Sequence, residues 1–339
     1  MSQNKDIWGL YGYLERCKAR SSLLSSEINR GKSNKEIASK STVFARVLVC
    51  TDFSAASHAA LEEAVKICNV TKAKLTILHV REYGPLPVAS DEGIEYVAQL
   101  MRKPDQNLQA VTASVRDLGV DAEGVVVNGN FKQVILEEIK KRKIDLAVIG
   151  TQGAKGLERL IFGSTAESVF RNATCPILTV GPRLRKPSRD VNLRPIVFAT
   201  DFQEPAVQAA NCAVALANMH HAPLHCVHVL PTIMGNQSEN PAVLSIMTKG
   251  LRELTHDASM CEIAPVFRVL YGREVSHPVV EYAREHDAQT IVLGVRRKMR
   301  VVSHLPPQIT YRIMMDASCP VMIISCDVST ATLPLTACL

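Results

Sequence analysis

Two stretches of the chain carry residues able to bind a ligand, the first of them through donors for an anion. Gly150-Thr151-Gln152-Gly153 is followed, after nine residues, by Gly163-Ser164-Thr165. Glycines at 150 and 153 let the backbone approach a bound group and adopt positive φ where a Cβ would clash. Gly163-Ser164 falls at the expected start of a helix, whose unpaired N–H groups and positive dipole end favour negative charge. The hydroxyls of Ser164 and Thr165 add donors. A charge-assisted hydrogen bond is worth about 1.5–3 kcal/mol, so several give roughly micromolar affinity for a phosphate chain after ordering costs. The second stretch is Thr51-Asp52-Phe53-Ser54, at the end of an apolar run. A carboxylate there suits ribose hydroxyls or a magnesium ion carried by phosphates. Both stretches also have plainer readings. Gly150 and Gly153 can simply shape the exit from a strand, and Asp52 can act as an Asx residue capping the next helix.

These residues need a scaffold, and the chain writes it twice. Residues 46–53 (RVLVCTDF) and 195–202 (PIVFATDF) lie 149 positions apart. Leu75–Val80 (LTILHV) matches Leu224–Val229 (LHCVHV) at the same offset, with His79 over His228. Asp145–Gly150 matches Gln289–Gly294, and Ala173–Val180 matches Ala317–Ile324, both at 144. Matches in one order at two offsets mark a tandem duplication. The layout expected is an extension over 1–42, a first domain over 43–182, a basic linker over 183–193, a second domain over 194–326 and a tail over 327–339.

In the first copy, Arg46–Cys50, Lys74–Val80, Ala122–Val127, Asp145–Ile149 and Pro176–Val180 are short apolar runs, predicting strands buried on both faces of a parallel sheet. Ser54 predicts the N-cap of a helix carrying Ala59, Leu61, Ala64, Val65 and Cys68. Asp91 opens a helix that runs to about Leu118, and Phe131–Lys141 and Ser164–Asn172 supply two more. The alternation is that of a doubly wound α/β domain. Tyr83–Ser90 and Pro231–Pro241 read as mobile coverings at one end of the sheet.

Thr51-Asp52-Phe53-Ser54, His79-Val80 and Gly150-x2-Gly153-x9-Gly163-Ser164 together resemble the ATP-binding universal stress proteins. The resemblance is strong over 43–182 and holds in outline over 194–326. It implies two tandem Rossmann-like domains, of the adenine nucleotide α-hydrolase type. Each would be a five-stranded parallel sheet of order 3-2-1-4-5 with helices on both faces. It implies that Thr51 and Asp52 sit near the adenosine and, through ATP, near Mg²⁺, and that Val80 offers backbone groups to adenine. Gly150 would lie at the ribose, and Gly153, Gly163, Ser164 and Thr165 would hold the phosphates. It also implies pairing of fifth strands, which one chain can satisfy as an intramolecular pseudo-dimer and two chains as a homodimer.

The second copy departs from that pattern. Gly294 lies over Gly150, but Arg297 replaces Gly153, Pro307 replaces Gly163 and Gln308 replaces Ser164. Proline has no N–H to offer an anion. Asp201 and Val229 remain, so an adenosine half-site survives at most, in a domain expected to be structural or regulatory. Arg296, Arg297, Lys298 and Arg300 form either a side-chain anion site or a solvated basic loop.

Composition excludes several classes. Lys+Arg 39 against Asp+Glu 33 gives +6. Residues 1–42 and Pro182–Pro195 each carry a +4 excess, which leaves the rest slightly acidic. With 5% aromatics and no basic folded face, nucleic-acid binding is disfavoured. No run of 18 apolar residues spans a membrane, and the start of the chain lacks a secretory pattern. Ten cysteines without a C-x-x-C suit reduced thiols in the cytoplasm. His220, His221, His225 and His228 cluster, yet 225 and 228 point to opposite faces of a strand, which spoils a zinc site. Ile7, Leu10, Tyr11 and Leu14 have helical spacing ahead of a polar stretch to Thr42, and read as a docking helix on a tether or as a disordered lead.

The expectation is therefore a cytoplasmic ATP-binding regulator with unidentified protein partners. The alternatives are a slow ATPase, with Lys155 and Arg159 as loop cations, and a nucleotide-free dimerisation scaffold. An adenylyl-transferring pyrophosphatase would need glycines after the first strand, where this chain has Asp52-Phe53-Ser54-Ala55-Ala56-Ser57.

Overall fold

A computed structural model describes residues 44–82, 91–151, 169–170, 172–185, 194–202, 205–231, 241–255, 261–296 and 308–326. The first half contributes strands β1 (Arg46–Cys50), β2 (Lys74–Arg81), β3 (Ala122–Asn128), β4 (Leu146–Gly150) and β5 (Ile177–Val180). The second contributes β6 (Ile196–Ala199), β7 (Leu224–Pro231), β8 (Val266–Gly272), β9 (Thr290–Arg296) and β10 (Val321–Cys326). They form one sheet of order β3-β2-β1-β4-β5-β10-β9-β6-β7-β8. Pairing within each half is parallel, and β5 meets β10 antiparallel. The helices are α1 (Ala55–Thr71), α2 (Asp91–Asp117), α3 (Phe131–Lys141), α4 (Ala206–His220), α5 (Pro241–Leu254), α6 (Ser276–Glu285) and α7 (Gln308–Asp316). No described helix is long and apolar enough to cross a membrane.

The period of two along a strand decides which layer each residue joins. Val47 and Val49 of β1 pack with Ala60, Leu61, Ala64 and Val65 of α1 and with Leu108, Val111 and Val115 of α2. Leu48 and Cys50 face the other way, toward Val134, Ile135 and Ile139 of α3. The α1 layer continues without a break into the second half, through Phe198 and the small residues Ala209, Ala210 and Ala213 of α4. Val279, Tyr282 and Ile313 cover the opposite face there.

Some boundaries differ from those expected. Asp145 precedes β4, because its carboxylate is taken up accepting the N–H groups of Ala45 and Arg46 at 3.0 Å each. Pro176 gives no N–H to a ladder and β5 starts at Ile177. Pro231 ends β7 rather than opening a loop, paired with Gly272. Residues 83–90, 232–240, the start of the expected Ser164–Asn172 helix, the extension over 1–42 and the tail over 327–339 lie outside the described residues.

The duplication is visible in backbone conformation as well as in topology. The six described non-glycine residues at positive φ fall into three pairs at the repeat offsets: Phe53 and Phe202 (63° and 60°), Lys72 and His221 (60° and 49°), Lys143 and Asp287 (52° and 47°). Left-handed backbone costs such residues about 1–2 kcal/mol, so each position is held by its surroundings in both halves. At the junction of the halves, Leu178 pairs with Met322, which is its own counterpart 144 residues on, so an approximate two-fold axis passes between them. Thr179 Oγ1 donates to the carbonyl of Val321 at 3.0 Å, and Ser325 Oγ to that of Ala173 at 3.2 Å. A Cβ on Gly181 would stand 2.3 Å from the carbonyl oxygen of Met314, so glycine lets α7 of the second half close on the first. The chain then runs along the second half, with Arg183 ion-paired to Asp316 at 3.1 Å and the Arg185 N–H bonded to Ser318 O at 3.0 Å.

Candidate functional site

In an open α/β sheet a crevice forms beyond the carboxyl ends of the strands where the order reverses, here between β1 and β4. The Thr51–Ser54 turn stands at the end of β1. Thr51 is buried; its N–H reaches Leu78 O at 2.8 Å and its hydroxyl accepts the Phe53 N–H at 3.1 Å. Asp52 is exposed, and its Oδ1 accepts the Ser54 N–H at 3.0 Å, so the capping geometry expected of an Asx residue is formed at the mouth of the crevice. Ser54 then caps α1 by accepting the Ser57 N–H at 3.3 Å.

Two side chains that sequence reasoning gave no role complete the turn. His79, near the end of β2, bonds through Nδ1 to the carbonyl of Thr51 at 2.8 Å. Its ring lies 4.8 Å from that of Phe53, the residue held at positive φ. Burial pulls the His79 pKa below its usual value; the Thr51 carbonyl opposes this, Arg81 adds to it, and Asp52 and Asp105 oppose it more weakly. Burial thus favours the neutral imidazole under the turn. The signal was present in the sequence as a histidine recurring at the offset of the Thr-Asp-Phe match.

Across the crevice, Gly150 is the last, buried residue of β4. A Cβ on it would meet the carbonyl oxygen of Ala56 at 2.6 Å. The close approach that demands glycine is thus that of the first turn of α1. Gly294 repeats the arrangement, with Pro205 O 2.8 Å from its hypothetical Cβ. Thr151 is tied back to β5, its N–H and hydroxyl reaching Val180 O at 3.0 and 3.2 Å. Val80 lies half-buried on β2, paired with Val127. The structure thus brings Thr51, Asp52, Val80 and Gly150 to one end of the sheet. Gly153, Gly163, Ser164 and Thr165 lie outside the described residues.

The second half builds the same turn. The Phe202 N–H reaches Thr200 Oγ1 at 3.0 Å, His228 Nδ1 lies 2.8 Å from Thr200 O, and the Phe202 and His228 rings are 4.6 Å apart. Asp201 is exposed and Val229 buried. Helix α4, however, has no side-chain cap at Pro205. Arg297 lies outside the described residues, as do Lys298, Arg300 and Pro307.

The histidine cluster separates as strand geometry requires. His225 faces α6, with Nδ1 3.0 Å from Tyr282 Oη, while His228 lies on the other face under Thr200. His221 pairs with Glu262 at 2.7 Å. Among the described residues no three His, Cys, Asp or Glu side chains group as metal ligands.

A model of the Universal stress protein family matches residues 44–181 and again 192–325. A universal stress protein of Methanocaldococcus jannaschii is 31% identical over 159 residues, covering 46% of this chain and 91% of that protein. A universal stress protein of Mycolicibacterium smegmatis is 23% identical over 298 residues, covering 82% of this chain and 96% of its own. The crystal structure of a universal stress protein from Archaeoglobus fulgidus superposes with a TM-score of 0.61 at 19% identity, over 84% of this chain and 97% of that one. That last likeness is one of fold.

Proposed function

The chain belongs to the universal stress protein family, and from that premise we propose that its first domain binds ATP with Mg²⁺ and acts as a nucleotide-dependent regulator in the stress response. One observation carries the reading. The exposed carboxylate of Asp52 stands at the mouth of the β1–β4 crevice in the half of the chain whose sequence continues as Gly150-x2-Gly153-x9-Gly163-Ser164-Thr165. Thr51 and Asp52 would serve the adenosine end, Asp52 also facing a magnesium ion on the phosphates. Val80 would meet adenine through its backbone. Gly153, Gly163, Ser164 and Thr165 would supply N–H and hydroxyl donors to the phosphates. Bound Mg²⁺ would supply charge neutralisation on those phosphates.

Binding rather than turnover is the working step in this reading. The carboxylate at hand already accepts the Ser54 N–H, and fast phosphoryl transfer needs a positioned base together with a cation on the γ-phosphate. The nucleotide would order the 150–163 loop and shift the surface presented to protein partners. Cys50, Cys68, Cys175, Cys212, Cys226 and Cys319 are buried free thiols, which suit a reducing cytoplasm. The second domain, paired through β10, would be a structural or regulatory partner without a phosphate cradle.

A second reading, a nucleotide-free scaffold, is favoured by one observation: packing against α1 accounts for Gly150 without any ligand. Nucleotide released from purified, heat-denatured protein, followed by calorimetric titration with Mg-ATP, separates the two. One nucleotide per chain, lost on Asp52→Ala or Gly163→Pro, is expected. No nucleotide and no heat of binding would leave the scaffold reading standing. Two per chain would overturn the assignment of the second domain.

A further inference from the structure

We propose that His79 is a positioning residue of the nucleotide site, holding the Thr51–Ser54 turn so that Asp52 is presented to the β1–β4 crevice; this rests on the nucleotide reading above. A carbonyl oxygen only accepts, so the 2.8 Å contact to Thr51 O places the His79 ring proton on Nδ1. The peptide between Thr51 and Asp52 is planar and trans, so its C=O and N–H point in opposite directions. Because His79 draws the Thr51 carbonyl toward β2, the Asp52 N–H is turned to the other side of β1, where β4 and the crevice lie. The preceding peptide is also tied to β2, through the Thr51 N–H bonded to Leu78 O at 2.8 Å, so Thr51 is held against that strand from both sides. The next residue, Phe53, has the positive φ that brings the chain into α1, and its ring lies tilted against the imidazole that makes the bond, 4.8 Å between centroids. One imidazole therefore fixes both the peptide before Asp52 and the residue after it.

The second half contains the control. His228, Thr200 and Phe202 repeat the bond, the tilted ring contact and the positive φ, in a domain where Arg297 and Pro307 stand at the positions of Gly153 and Gly163. A purely structural role for the histidine would show equally in both halves, whereas a positioning role would show in ligand affinity only in the first.

The test uses the full chain. Ring ¹⁵N shifts of His79 and His228 report the tautomer; thermal unfolding and Mg-ATP calorimetry are then measured for the unmutated chain, His79→Leu, His79→Asn and His228→Leu. Expected are Nδ1–H tautomers at both histidines and similar falls in melting temperature for the two leucine variants. Mg-ATP affinity should drop about tenfold for His79→Leu alone and return largely in His79→Asn, whose amide N–H can reach the same carbonyl. An Nε2–H tautomer at His79, unchanged affinity in His79→Leu, or equal losses in both leucine variants would overturn the proposal. The tautomer is read on the unmutated chain, so a variant that does not fold leaves the test intact. An unmutated chain that takes up no Mg-ATP would instead overturn the nucleotide reading itself, a result distinct from normal uptake that His79→Leu leaves untouched.

Discussion

The two halves share a fold and differ in what is attached to it, which makes each a control for the other. Gly150 and Gly294 are both retained, and in both places the missing Cβ makes room for a backbone carbonyl at the start of the first helix of that half, Ala56 in α1 and Pro205 at the N-cap of α4. Gly153 and Gly163 have no glycine counterpart in the second half, which forms the same strands and the same turn. A glycine kept in both copies with the same backbone contact is accounted for by packing; a glycine kept in only one copy is where a phosphate contact is to be sought. By that criterion Gly150 belongs to the scaffold, and the phosphate reading rests on Gly153, Gly163, Ser164 and Thr165.

The hardest way to break this division is to add a methyl group at the shared glycines. Gly150→Ala and Gly294→Ala should each destabilise their half by about 3 kcal/mol, because a backbone carbonyl and not a flexible side chain must move. Denaturant unfolding with a probe in each half measures both. A tolerated Gly294→Ala would mean that the glycines are not a common packing device.

Acid should separate the halves next. Burial, helped by His221, lowers the pKa of His220 to about 4; burial, His286 and Arg268 do the same for His225. Both lie in the second half. The unfolded chain takes up protons near pH 6.5 that these folded histidines refuse until about pH 4, so stability present above pH 6.5 is lost progressively as the pH falls through that window. His220 alone should contribute about 2 kcal/mol to this loss. Unfolding followed between pH 7 and 4, with His220→Gln as reference, should show a shallower pH dependence in that variant.

A smaller asymmetry lies in the caps. Ser54→Ala should cost about 1 kcal/mol, since it strips the N-terminus of α1 of its side-chain acceptor. Helix α4 has no such bond to lose. The smallest effect is expected at the junction, where Arg183→Ala removes an exposed ion pair with Asp316 worth about 0.5 kcal/mol or less and fading with salt. A change in melting temperature of more than a few degrees there would show that the contact carries more of the union of the halves than its exposure allows.

Much of the scaffold was legible because buried parallel strands must be apolar on both faces, so runs such as Val47–Cys50 and Leu146–Gly150 stand out from their flanks. Repetition made the domain count legible as well. Glycine was ambiguous: at position 150 a ligand and a helix backbone demand the same absence of side chain, and only coordinates separate them. Phe53 was opaque because an aromatic residue gives no local sign of positive φ. His79 was visible as a repeated letter, but its bond to a carbonyl 28 residues away leaves no trace in periodicity. The edges of strands at Asp145 and Pro231 were decided by local contacts, a carboxylate accepting two backbone N–H groups and a register pairing with Gly272, below the resolution of any pattern of apolar residues.

The axis that passes between Leu178 and Met322 has one more consequence. In an assembly of two identical chains, every substitution is made twice, so a proline that removes a backbone N–H from one copy removes it from both. With the two halves joined through β5 and β10 in a single chain, Pro307 is written once, and Gly163 is untouched. Fusion converts a symmetry that had to be obeyed into one that can be spent, position by position, wherever the packing does not object.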